Sequence, residues 1–402
     1  MHNQLVSYKL VTDKASRMQG VTIVFDDAQS KVGQLSDDIM ATIHPFLCFE
    51  TDPSFIEHKI FVQINQLCLM GKIATSLPKE QVVLLIAPCD DVTEALIARC
   101  EALFENGYLL GINNLTEDDN RLVLLPFTQY VTQHINLLSN RTLALLKGHN
   151  TILIATHIHS LAQKEEAERL GCQLFQGWYY LEIKPDPSKK LPLNMRVIIE
   201  LIAELNSDGC DSTLEKFFRE NPTLSLQMLK LVNSAAMGVG KEVNSIRHAI
   251  MILGRGQMMR WLQVMLYAQD DTAKVPTVIM YKALWRAELM ELLSTQCDHH
   301  GSLAHHDSVF MTGMLSLADI LLNESMENVI PTMGLSVMIQ EALLHKKGIA
   351  GMLLKLVEAL EQARFDEVKM LAGQLNIDDE IVATCQKEAL IWANKVASGI
   401  GE

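Results

Sequence analysis

Clusters of positive charge are missing from this chain. Across 402 residues, 34 Lys and Arg face 48 Asp and Glu, the net charge is −14, and no basic run exceeds two residues. The imbalance is even: residues 1–185 carry 14 basic against 21 acidic side chains, and the remainder 20 against 27. A protein that grips a phosphate backbone needs a local positive surface, so nucleic acid is not an expected partner. An acidic surface favours solubility and selective protein contacts instead. Long apolar runs are missing too. A membrane span needs about 20 consecutive apolar residues, and none occurs, so no membrane association is expected. The opening MHNQLVSYKL has no apolar stretch behind a basic flank and does not read as a secretory signal. A cytoplasmic location is therefore expected. Paired cysteines are the third absence. Cys48, Cys68, Cys89, Cys100, Cys172, Cys210, Cys297 and Cys385 are scattered without a C-x-x-C pair. They read as reduced, buried thiols.

What is present is apolar and periodic. A hydrophobic fraction of 49% against 20% charged residues can bury a large core, and the length suits two or three domains. In the first half, strand-like and helix-like segments alternate. Val82–Ala87 (VVLLIA) is a continuous apolar run closed by Pro88. Asp91–Asn106 follows at helical spacing and ends at Gly107. Tyr108–Ile112 is strand-like, Leu122–Leu125 adds another short apolar run, and Thr151–Ala155 is strand-like again. A helix is expected over His159–Leu170, and Cys172–Phe175 leads into Gln176-Gly177-Trp178. Repeated strand–helix units with uninterrupted apolar strands imply a parallel sheet covered by helices. Sites in such folds lie at the C-terminal ends of strands.

Near Lys184 the texture changes. IKPDPSKKLP holds three prolines in a short polar stretch and reads as a linker. Beyond Leu193 the spacing is helical throughout: Arg196–Leu205, Leu214–Glu220, Leu224–Ser234, Ser245–Leu253, Gln257–Ala268, Val278–Thr295, Asp307–Asn323, Leu335–Leu344, Ile349–Glu361, Asp366–Leu375 and Asp378–Asn394. The expected class is α/β plus all-α, with a barrel over 1–184, a linker over 185–193 and a helical bundle over 194–402.

The segments GYLLGINNL and ILIATHIHSLAQKEEAERLGCQLFQGWYY, with the order of units around them, resemble the EAL family. That resemblance implies a TIM-like barrel of the kind that hydrolyses cyclic di-GMP with divalent cations held by carboxylates. The segment LSLQMLKLVNSAAMGVGKEVNSIRHAIMILG, with Asn233 and Ser234 at its centre, resembles the hallmark of the HDOD family, a helical signalling domain related to HD phosphohydrolases.

Carried over position by position, the EAL resemblance leaves little of the catalytic set. The signature Glu falls on Thr22, and the strand Asn on Gln63 or, after a slip, Asn65. The next metal-binding Glu falls on Leu85, and the paired aspartates on Asn113 and Asn114. The catalytic Lys and the Asp after it fall on Thr132 and His134. The last strand's Glu falls on Thr156, and the following one on His159. Gln176 and Gly177 persist. Leucine cannot ligate a cation, and neutral amides bind hard cations far more weakly than carboxylates. No metal, no cofactor and no phosphodiesterase activity are expected. Glu-Ala-Leu strings do occur, at Glu94, Glu101, Glu341, Glu358 and Glu388, but in helix-patterned segments. In the HDOD half, Ser316 and Leu317 stand where the His-Asp pair of HD enzymes would be, and the upstream His position falls near Trp285 and Arg286.

Other constellations carry two readings each. His299, His300, His305 and His306, with Asp298 and Asp307, could hold Zn²⁺ or Ni²⁺, or form a polar loop with Asp307 as N-cap of the next helix. His157 and His159, near His134, could make a metal or pH-sensitive site or a satisfied polar barrel mouth. Gly238 and Gly240 read as a helix-ending turn. Met251, Met258, Met259 and Met265 read as core filling, or as an adaptable partner groove. The expected function is a non-catalytic scaffold or regulator in bacterial signal transduction that binds other signalling proteins. A non-hydrolysing receptor for cyclic di-GMP or a related nucleotide is the alternative, residual hydrolysis comes last, and self-association is left open.

Overall fold

The computed structural model describes residues 5–25, 58–89, 91–182, 193–207, 211–233, 243, 245–268, 278–297 and 303–399. They fall into two compact units. One comprises 1–182, 274–281 and 356–402; the other comprises 183–273 and 282–355.

The first unit contains a closed eight-stranded barrel. Its strands are β1 (Val6–Thr12), β2 (Met18–Phe25), β3 (Lys59–Ile64), β4 (Val82–Ile86), β5 (Leu109–Ile112), β6 (Tyr130–His134), β7 (Ile152–Ile158) and β8 (Leu174–Gly177). Strands pair in chain order; β1 runs antiparallel to both neighbours, and all other pairs are parallel. The short link between β1 and β2 dictates that reversal, because a parallel pair needs a crossover of about a dozen residues or more. Here Asp13 Oδ1 accepts from Arg17 N at 2.9 Å, and Ser16 takes a positive φ of 59°.

Alternate residues of each strand point inward. Val11, Phe61, Val83, Leu85, Tyr130 and Ile154 fill the barrel, with Leu109, Ile152 and Leu174 packed against them. Phe61 and Tyr130 meet edge to face at 5.3 Å. Gly111 leaves them room: a Cβ there would lie 2.8 Å from Leu85 Cδ2 and 2.9 Å from Tyr130 O. Charged and polar inward positions are left for the mouth at the C-terminal ends of β2–β8.

The apolar run Leu122–Leu125 is not a strand. It lies in a 3₁₀ helix, Asn120–Phe127, with Pro126 inside it and Asp119 as N-cap. Arg121, fully buried, donates to Ile86 O at 2.6 Å and to both oxygens of Asp119, tying this turn to the end of β4. The strand of this repeat is Tyr130–His134, one turn later.

The C-terminal helices Phe365–Gln374 and Asp379–Gly399 belong to the same unit as the barrel. Gln386 Nε2 donates to Val6 O at 2.8 Å, and Ser7 Oγ donates to Glu361 O at 3.1 Å. Tyr8 and Tyr281 are buried in the same region.

The second unit is helical. The two helices expected at Ser245–Leu253 and Gln257–Ala268 run on as Ile246–Tyr267, broken by Gly254 at φ 69°. The helix expected at Asp307–Asn323 begins at Leu303, stops at Leu315 and resumes over Ala318–Leu322 with Asn323 as a left-handed cap. Among the described residues no helix is long and apolar enough to cross a membrane. The linker expected over 185–193 lies outside the described residues except Leu193, which opens the helix Leu193–Asn206.

Candidate functional site

The barrel mouth gathers most positions singled out from sequence, and none of those described positions is a carboxylate. Thr22, on β2, accepts a 2.6 Å hydrogen bond from Gln176 Nε2 on β8. The retained glutamine therefore bonds the residue that stands in for the signature acid. Gln63 is exposed at the end of β3, in register with Leu85. Asn65 serves the backbone instead, its Oδ1 accepting from Cys68 N as N-cap of the helix Gln66–Met70. Leu85 is sealed in the barrel core at 1% exposure.

Asn113, Asn114 and Thr132 form a closed hydrogen-bond set. Thr132 Oγ1 donates to Asn113 Oδ1 at 2.8 Å and accepts from Asn114 N at 2.9 Å. Asn114 holds φ 53° and its Oδ1 accepts from His134 N at 3.3 Å. The Thr132 hydroxyl thus occupies one of the two lone pairs of Asn113 Oδ1.

His134 and His157 stack with ring centroids 4.5 Å apart and planes 18° apart. His134 Nδ1 accepts from Asn136 N at 3.1 Å, which places the proton of the neutral ring on Nε2. His157 sits at φ 60°, within the irregularity that breaks the β7–β8 register between Ala155 and Ile158. Its pKa is pushed down to about 4, first by lost hydration and then by the charges of Lys9, His134 and His159. Thr156 is buried beside it, with its hydroxyl 3.2 Å from His157 Nδ1. His159 is exposed, and its backbone N donates to Gln163 Oε1.

Gly177 is structural. A Cβ on it would stand 2.0 Å from Ile158 O and 2.5 Å from Ile158 N, so only glycine allows β8 to close on the β7 irregularity.

Sequence reasoning missed Lys9. It shares the inward face of β1 with Val11, pairs in register with Thr22, and is half-buried. Burial lowers its pKa. Among the described residues it makes no ion pair.

The donor set does not fit the pair of divalent ions that the EAL resemblance implies. Hard cations take carboxylate and carbonyl oxygens; the described positions matched to the family's ligands offer hydroxyls, amides, a leucine and imidazoles.

In the second unit, Arg286, near which the upstream His position of HD enzymes was expected to fall, and Ser316 meet directly: Arg286 Nη1 donates to Ser316 Oγ at 3.0 Å. Ser316 Oγ in turn donates to Gly313 O at 2.7 Å. Leu317 and Trp285 are buried. Burial raises the pKa of nearby Asp319, with Arg286 pulling it the other way. Asn233 clamps the chain after its helix: its Nδ2 donates to Val243 O at 2.9 Å and its Oδ1 accepts from Val243 N at 2.7 Å. Ser234, Gly238 and Gly240 lie outside the described residues.

The histidine-rich segment needs correction. Asp307 is not an N-cap, because the helix starts four residues earlier at Leu303. Its carboxylate instead accepts from Arg260 Nη2 at 2.8 Å, beside Glu291. His306 Nδ1 lies 2.7 Å from Ser294 Oγ. His305 is in the same helix, and His299 and His300 lie outside the described residues. Among the described residues no group of three His, Cys, Asp or Glu is placed to hold a metal ion. Met258, Met259 and Met265 are buried, while Met251 is exposed.

Residues 191–364 match the HDOD domain family, so the chain carries an HDOD domain. Over nearly its whole length the chain is similar to two full-length proteins. One is the uncharacterized protein YuxH of Bacillus subtilis, 25% identical over 97% of this chain and 98% of that protein. The other is the cyclic di-GMP phosphodiesterase CdgJ of Vibrio cholerae, 24% identical over 98% of this chain and 94% of that protein. Among solved structures, the EAL domain of Mycobacterium smegmatis DcpA is similar at 14% identity and a TM-score of 0.37, covering 43% of this chain and 90% of that one.

Proposed function

We propose that this chain is a non-catalytic regulator of bacterial cyclic di-GMP signalling, a phosphodiesterase-like pseudoenzyme that works by binding other signalling proteins. One observation carries the reading: every position matched to a metal-binding acid holds a neutral or basic side chain, with Leu85 buried in the core. Phosphodiester hydrolysis by such a barrel needs cations to activate water and to offset charge in the transition state. Thr132, whose hydroxyl is bonded to Asn113, supplies no charge in place of a catalytic lysine. The activity named for CdgJ belongs to that protein, and 24% identity does not carry it here. In this reading the HDOD domain supplies the protein-binding surface.

A second reading, a cyclic-dinucleotide receptor that does not hydrolyse its ligand, is favoured by Lys9 on the inward face of β1 and by the stacked imidazoles of His134 and His157. Incubating the full chain with cyclic di-GMP and Mg²⁺ or Mn²⁺, alongside calorimetry, separates the readings. The regulator gives neither product nor heat, and the receptor gives heat alone. Linear or mononucleotide product overturns both.

A further inference from the structure

We infer that the outer wall of the barrel, at the end away from the mouth, carries a docking pocket for a carboxylate side chain of a partner protein, with Arg99 and Lys79 as its cationic pair. The inference rests on the reading of the chain as a regulator that binds other signalling proteins, and it adds a surface on the barrel to the one on the HDOD domain. The pocket has a volume of about 400 Å³, and its lining includes Thr75, Lys79, Arg99, Leu103, Asn106 and Tyr108. Lys79 stands just before β4 and Tyr108 immediately before β5, so the pocket lies at the N-terminal ends of those strands. Arg99, Leu103 and Asn106 share one face of the helix Glu94–Glu105 and its cap.

Both cations are held in place without being neutralised. Arg99 Nε donates to Leu69 O at 3.2 Å and its Nη2 to Gly71 O at 3.1 Å, which fixes the guanidinium and leaves Nη1 without a hydrogen bond among the described residues. Lys79 Nζ donates to Asn106 O at 3.3 Å. Neither side chain pairs with a carboxylate among the described residues, although the chain as a whole is acidic. Tyr108 Oη donates to Thr75 O at 2.9 Å and keeps its own lone pairs.

The surroundings select a carboxylate over a phosphate. The cavity meets the C-terminal end of the helix Glu94–Glu105, where the last carbonyls carry partial negative charge. Exposed Glu80, Glu101 and Glu105 are chain neighbours of Lys79, Ala102 and Asn106. That setting opposes a dianion, while the two oxygens of a single carboxylate match the open donors of Arg99 and Lys79. It also calls for basic groups beside the partner's acid, to meet the glutamates. Apolar contact is at hand: Leu67 and Met70, 67% and 43% exposed, lie on the helix Gln66–Met70, whose C-terminal end Arg99 caps. A glutamate flanked by leucine and lysine is the segment that fits.

The test uses the full chain with four probes: an end-blocked lysine-leucine-glutamate-leucine-lysine peptide, its glutamine counterpart, succinate and inorganic phosphate. Calorimetry at low salt should show the glutamate peptide binding and the glutamine peptide binding about tenfold or more weakly, the size of one charge-assisted hydrogen bond. Lys79→Met and Arg99→Gln should each weaken the glutamate peptide to a similar degree, and NMR should show the Arg99 Nε signal shifting as that peptide is added. Arg99→Gln also gives up the bonds to Leu69 and Gly71, so thermal unfolding is read beside it. Lys79 is exposed, and its variant should unfold at the parent midpoint. Equal binding of the two peptides, or equal binding of the glutamate peptide by the parent and Lys79→Met, overturns the assignment. Succinate or phosphate binding more tightly than the peptide overturns the protein partner in favour of a small anion. No binding by any probe overturns the pocket and leaves the regulator reading to the cyclic di-GMP assay. Turnover in that assay sinks the regulator reading whatever the peptides do.

Discussion

Putting an acid back at Leu85 should damage this barrel rather than revive it. The leucine is 1% exposed among Val11, Phe61, Tyr130 and Ile154. Leu85→Glu forfeits roughly 2–3 kcal/mol of apolar burial. It adds the desolvation of an unpaired carboxylate, several kcal/mol more before Lys9 attracts it. A net loss on the order of 3–5 kcal/mol follows. The sign of its pH dependence is fixed. Burial raises the glutamate's folded pKa above the unfolded value of about 4.3, so the folded state holds the proton more tightly. Stability then falls as pH rises from the unfolded pKa through the folded one. Urea unfolding at pH 5 and pH 8 should show a larger deficit at pH 8, with Mn²⁺ making no difference. The double variant Leu85→Glu/Asn113→Asp should also fail to hydrolyse cyclic di-GMP, because the other acids and the catalytic lysine are missing. A Mn²⁺-dependent rise in the urea midpoint, or turnover by the double variant, would refute the reasoning. Either would mean that the remaining ligands are present at other positions.

Three more perturbations follow from the geometry. Gly177→Ala drives a Cβ into the Ile158 backbone, and should cost roughly 3 kcal/mol or more in urea unfolding; a parent-like midpoint would show that β7 and β8 yield easily. Asn233→Ala strips two hydrogen bonds from Val243, a buried residue. A loss of about 2–3 kcal/mol is expected by chemical denaturation, and loss under about 0.5 kcal/mol, the scale of a plain surface substitution, would deny the clamp. His157 has a folded pKa near 4, below its ordinary value of 6.5, so the unfolded state takes its proton first. Stability should therefore fall as pH drops from about 6.5 to 4, and His157→Gln should flatten that slope; an unchanged slope would place the acid sensitivity elsewhere.

Legibility in the sequence followed burial. β4 and β5 are continuous apolar runs, and their positions are plain from VVLLI and LLGI. β6 was hidden because its sequence, YVTQH, ends in residues that serve the mouth and a side-chain network: Gln133 bonds Leu137 O and Thr142 Oγ1. The apolar run before it stood out more strongly but is a 3₁₀ turn pinned by Arg121. Lys9 escaped notice because both faces of β1 are buried, which removes the alternation that marks an inward residue. Its significance appears only when β1 is closed against β2 and β8. The grouping of residues 356–402 with the barrel has no local signal either. Those helices have the same texture as their neighbours, and the contacts that hold them, Gln386 to Val6 and Ser7 to Glu361, span more than 350 residues of chain. The histidines near residue 300 show the converse error. Density along the chain is not density in space, since His306 turns to Ser294 and Asp307 to Arg260. Arg286 and Ser316, by contrast, were marked by position alone and do meet.

On the proposed reading, neither unit offers a cation the carboxylates it would need: Thr22, Leu85, Asn113 and Asn114 stand at the matched barrel positions, and Ser316 and Leu317 at the matched helical ones. Without a bound cation there is no metal-bound water to activate.

Manganese binding to the unmodified chain tests that account most directly. Electron paramagnetic resonance of free Mn²⁺, titrated against the full chain at neutral pH, should show no loss of the free-ion signal at millimolar metal beyond that of a chain denatured in urea. Saturable uptake of two ions per chain at micromolar concentration, abolished by substitutions in the barrel mouth, would contradict it.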